Sequence, residues 1–116
     1  MYISKGEILN KIKELFKKCE EFREPETRFS CRHSLQDIYE LIEQAYKEAD
    51  TCKLKHLLNS MYFIGTHSES LKRYVQYEQI TDATIYINET LLNVHRALLD
   101  DLSQIIREKC KCQLQE

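Results

Sequence analysis

Two short pairs hold the side chains with the most chemistry in this chain, Cys31-x-His33 and Cys110-x-Cys112. Together they offer three thiolates and one imidazole, an acceptable tetrahedral zinc set. Residues two apart in a regular helix point about 160° away from each other, so both pairs need irregular backbone to converge. They also need to meet. The second helix begins at the end where the first finishes, and the last helix finishes there only if the number of helices is odd. Five helices therefore allow the site and four forbid it. The simpler expectation is no metal and no cofactor. On that reading Ser34 and Asp37 open a helix, with Ser34 accepting an amide hydrogen bond and Asp37 favoured by the helix dipole. Cys31 and His33 then lie on the approach, and Cys110 and Cys112 are reduced thiols on a frayed tail.

Two other stretches invite comparison. In "RFSCRH", Arg28 and His33 bracket four residues. The pattern resembles the R-x4-6-H signature of HEPN-type helical domains, many of which cleave RNA without a metal. The resemblance implies His33 as general base and Arg28 as stabiliser of phosphorane charge, in a ribonuclease or toxin–antitoxin component. It covers six residues. Phe29 stands where the family usually has a polar residue, and the motif precedes the second helix rather than a late one. In "KHLLNSMYFIG", His56 with Leu58 resembles a histidine phosphotransfer domain, which implies His56 as phosphate acceptor. That family has Lys and Gly where Asn59 and Ser60 stand here. Otherwise His56 marks the boundary between a leucine stripe and solvent. No Glu lies three residues before any histidine, so the ferritin-like carboxylate pattern is missing, as are a Gly-rich phosphate loop, G-x-S-x-G and H-E-x-x-H.

The most informative feature is an absence. Between Arg73 and Arg96 no lysine or arginine occurs, in a chain that carries 17 of them. The stretch holds Tyr74, Tyr77, Glu78, Asp82, Tyr86 and Glu89. Ile85, Tyr86 and Ile87 are consecutive and cannot all face one core on a helix. Tyrosine is enriched and lysine depleted at protein interfaces. These six residues are therefore the candidate partner-binding face, acidic and tyrosine-rich. The alternative is that this segment forms the most buried central helix.

These residues need elements to position them. The first helix is the best specified: Ser4 and Glu7 form a capping box, with Ile3 and Ile8 as its staple. Ile8, Leu9, Ile12, Leu15, Phe16, Cys19 and Phe22 recur on one face, and Pro25 disfavours continuation. Leu35, Ile38, Tyr39, Ile42, Ala45, Tyr46 and Ala49 mark a second stripe. Leu54, Leu57, Leu58, Met61 and Tyr62 mark a third, with Gly65 as its expected terminator. Thr66 and Glu69 suggest a fresh start, and Thr81 or Asp82 opens a last helix of about 30 residues, near the upper end of common helix lengths. The segment opened by Thr66 and this last one could be a single bent helix. The expected fold is an all-α antiparallel bundle of four or five helices, one domain over residues 1–116.

Composition sets the remaining bounds. Two Gly and one Pro in 116 residues leave too few turns for a sandwich or barrel. Five cysteines make an odd count with no C-x-x-C pair, which favours reduced thiols and a cytoplasmic setting. No targeting segment or membrane span is read, so the Asn88-Glu89-Thr90 acceptor pattern carries no weight. A net charge of −2 without a basic stripe argues against nucleic acid. The leading functional expectation is a non-enzymatic regulator, inhibitor or immunity-type protein that occludes a protein partner, with self-association as a further possibility.

Overall fold

The computed structural model describes residues 4–76 and 82–111, which form four helices and no strand. Helix α1 (Lys5–Cys19) starts as its sequence demands. Ser4 is the N-cap, accepting from the Glu7 amide and donating its hydroxyl to the Glu7 carboxylate. Ile8, Leu9, Ile12, Leu15, Cys19 and Phe22 are buried, each large side chain contributing roughly 1.5–3 kcal/mol. Ile3, the expected staple residue, lies outside the described residues.

Helix α2 (Pro25–Asp50) begins nine residues earlier than Ser34, where the sequence suggests a start. Pro25 is its first residue and Glu24 its N-cap. A proline at that position lacks only an N–H that would have gone unbonded, and its fixed φ suits the helix. The same proline that ends one helix thus opens the next. The apolar stripe from Leu35 to Ala49 faces the core, with Tyr39 partly covered.

Helix α3 (Leu54–Gln76) runs straight through Gly65. That glycine has no positive φ, so it terminates nothing. Thr66 does not cap either: its hydroxyl donates to the Tyr62 carbonyl, and Ser68 donates to Ile64, both four residues back inside the helix. The two segments on either side of Gly65 are one helix. Helix α4 (Asp82–Lys109) follows; the junction over 77–81 lies outside the described residues.

Cross-links fix how the helices sit. Cys19 at the end of α1 is bonded to Cys31 in α2, Cα–Cα 5.6 Å. Cys52 in the α2–α3 turn is bonded to Cys110 after α4, Cα–Cα 5.7 Å. Cys52 has φ 56°, a left-handed conformation uncommon for a residue with a Cβ. Beside this second bridge, Lys109 pairs with Asp50 at 2.9 Å. Deeper in, Tyr46 of α2 donates its hydroxyl to buried Asp101 of α4. These contacts place the C-terminal ends of α2 and α4 together.

The expectation of reduced cysteines is therefore wrong: four of the five form two disulfides. An odd count hides two ordinary bridges plus Cys112, which lies outside the described residues. Spacing in the sequence gives no sign that helix ends bring Cys19 to Cys31, or Cys52 to Cys110.

The packing is lopsided. All four helices contribute to one core, α3 through Leu57, Ile64, Leu71 and Val75, but α3 packs chiefly along α2 and much less against α4. The molecule measures 51 × 27 × 16 Å. Two packed helices span about 15 Å between outer Cα atoms, so the fold is two helices deep and widened in the other direction by α3.

Candidate functional site

The zinc set does not assemble. Cys31 and Cys110 are bonded to different cysteines, and Cys31 and His33 lie in regular helix, pointing apart. Among the described residues no group of three or more His, Cys, Asp and Glu is arranged to hold a metal ion.

The Arg28–His33 pair is also divided. Arg28 directs its guanidinium back at the α1–α2 turn, donating to the carbonyls of Phe22 and Arg23 at 2.8 Å each. In that position it acts as a clasp that satisfies turn carbonyls. His33 is exposed and stacks on Phe29, ring centroids 5.9 Å apart. Asp37 Oδ2 lies 3.9 Å from His33 and 3.8 Å from His67 of α3, outside hydrogen-bond range of either. His56 is exposed in the first turn of α3, beside Lys53 and Thr51. Its neighbour Glu48 is buried and accepts from Ser60, tying α2 to α3.

The tyrosine-rich stretch is divided between α3, which carries Tyr74, and one face of α4, which carries Asp82, Tyr86 and Glu89. Tyr77 and Glu78 lie outside the described residues. Tyr74 is exposed near the end of α3, seven residues on from His67 and on the same side, the one nearer α2. Asp82 and Glu89 are exposed on α4. Tyr86 shares that face of α4, within about 60° of arc of both, and the Lys18 ammonium of α1 lies 5.0 Å from its ring centroid. Ile87 is fully buried while Ile85 is 48% exposed, so the consecutive triplet is split between core and surface.

A different surface holds several of the exposed apolar side chains. Between α3 and α4 runs an open groove of about 160 Å³, lined by Leu91, Leu92 and His95 of α4 and by Gly65, Ser68 and the ion-paired Glu69 and Lys72 of α3. On α4, Ile85, Leu92 and Leu99 follow one another at seven-residue intervals and are 48%, 48% and 43% exposed. On α3, Leu58 and Tyr62 precede Gly65 on the groove side and are 70% and 66% exposed. Apolar surface that is contiguous and rimmed by polar groups marks an interaction site, whereas scattered leucines need no explanation.

Periodicity assigns Leu58 and Tyr62 to the core stripe of α3, and the structure exposes them. A run of five apolar positions spans more arc than one neighbouring helix can cover, and α3 packs chiefly on α2. A signal for the α4 stripe is present in the sequence: the 85–92–99 heptad sits beside, not within, the stripe of Ile87, Leu91, Val94 and Leu98.

The chain matches no known protein family, no curated protein and no solved structure.

Proposed function

We propose that this chain is a protein-binding module of the regulator or inhibitor type, built as an antiparallel four-helix bundle, that docks a polypeptide on its α3–α4 face. The observation that carries this is the row Ile85, Leu92 and Leu99 left half-exposed beside a helix that fails to cover it. An amphipathic helix laid in such a groove buries apolar side chains at heptad positions, a common mode of peptide recognition. Glu89 and Arg96 flank the row on one side and Asn88 and His95 on the other, giving the polar rim such interfaces carry.

The two disulfides support action in an oxidising compartment, in place of the cytoplasmic setting inferred from reduced thiols. No described helix is long and apolar enough to cross a membrane.

The test is site-specific photocross-linking of the full chain in its native host. A cross-linker at Leu92 captures a polypeptide, while one at exposed Glu14 on α1 does not. Equal capture at both sites, or none at Leu92, removes the docking face.

A further inference from the structure

We infer that the occupant of the α3–α4 face is a second copy of this chain, with α4 packed against α4 in the opposite direction about a two-fold axis at Leu92. The inference rests on that face being a docking surface, and it adds the partner's identity.

Seven-residue spacing is the period of a two-helix seam, and Ile85, Leu92 and Leu99 fall within about 40° of arc on α4. In a two-fold interface the same patch must complement itself. With the axis at Leu92, residues equally far on either side meet. Leu92 meets Leu92, and Ile85 meets Leu99 of the second copy, at both ends of a seam about 21 Å long. Each step therefore pairs apolar with apolar.

The flanks decide the direction. Glu89 lies three residues before Leu92 and Arg96 four after it, both on the same side of the stripe. Reversing one helix about Leu92 brings Glu89 to within about 1.5 Å, along the axis, of Arg96 in the second copy. The symmetry makes this ion pair twice. On the other flank, Asn88 lies beside His95 of the second copy. A parallel pairing would instead set Arg96 beside His95 and Glu89 beside Asn88, with no ion pair. Charge complementarity selects the reversed arrangement, and no lysine interrupts the seam.

Gly65 is an independent observation. It lies in the interior of α3, where glycine costs about 1 kcal/mol relative to alanine. Among the described residues nothing requires the small side chain: a Cβ built there meets no atom of them within 4 Å. Gly65 borders the groove beside Leu92, close to the proposed axis. Its missing side chain leaves the approach that α4 of a second copy needs.

The experiment is analytical ultracentrifugation of the full, oxidised chain across a concentration series. The wild type shows a monomer–dimer equilibrium. Leu92→Glu places two carboxylates on the axis and abolishes the dimer with the helical circular dichroism unchanged. Glu89→Arg and Arg96→Glu each weaken self-association about tenfold, because each turns both ion pairs into repulsions. An equimolar mixture of those two single variants associates again. One copy then carries arginine at both positions and the other glutamate at both, so each of the two contacts is an ion pair once more. A wild type that stays monomeric at every concentration overturns the inference, as does a mixture no tighter than its components. Neither result touches the docking face if Leu92 still cross-links to a different polypeptide in the host; that reading fails by the comparison with Glu14.

Discussion

Toward the core, helix α4 presents Ile87, Val94, Leu98 and Leu102, all buried, with Asp101 accepting the Tyr46 hydroxyl among them. On its outer face, on the side nearer α3, it presents Ile85, Leu92 and Leu99, each more than two-fifths exposed. The two rows are similar in composition and differ in what stands opposite. One is covered by the neighbouring helices; the other points outward at the edge of α3, which packs chiefly on α2. Hydrophobicity alone therefore does not say which row is core. The number of neighbours each row meets decides it, and that depends on the whole topology.

The largest expected effect comes from breaking the link between the α2–α3 turn and the end of α4. Cys52→Ala with Cys110→Ala opens a loop between residues 58 apart. Chain entropy then lowers stability by about 4 kcal/mol, against about 3 for the Cys19–Cys31 bridge at a separation of 12. Denaturant titration reads both losses. Hydrogen exchange sharpens the contrast, because α3 has α2 as its main support: protection in α3 falls more than in α1 when the Cys52–Cys110 bridge is lost. Uniform loss of protection would mean that α3 is as well anchored as the others.

A substitution in each row tests the comparison directly. Leu98→Ala empties a fully buried site in the core and costs about 2–5 kcal/mol. Leu92→Ala, measured at dilutions where only monomer is present, changes stability by about 0.5 kcal/mol or less. Equal losses would show that α3 closes over α4 in solution and that the outer row is a core.

Most of the core is legible in the sequence. The stripes of α1 and α2 appear where periodicity puts them, because these helices are flanked on several sides and a wide apolar arc suits them. Helix ends are less legible. Pro25 acts as a first residue rather than a stop, and Gly65 sits in mid-helix, since both residues are compatible with two opposite positions and only packing chooses. The disulfides are hidden because pairing depends on which helix ends meet, a fact of topology rather than spacing. The docking surface is displaced for a related reason. The stretch without basic residues does reach the outer row through Ile85, Glu89 and Leu92, but its tyrosines point to Tyr74 on α3 and to Tyr86, which lies beyond Glu89 at the α1 edge of that face. Periodicity likewise puts Leu58 and Tyr62 in the core, and only the offset of α3 exposes them.

The smallest expected effect is also the most discriminating between a free face and an occupied one. Gly65→Ala adds a methyl where the isolated chain has open space, and it removes the entropic penalty of glycine in a helix. In the monomer it should raise stability by about 1 kcal/mol, read as a higher denaturant midpoint with an unchanged slope. If α4 of a second copy comes close to α3 at this point, the same methyl hinders it, so the variant gains stability when dilute and loses self-association when concentrated. A gain in stability with association intact would mean that nothing approaches Gly65, and the contrast between the two rows would then rest on α4 alone.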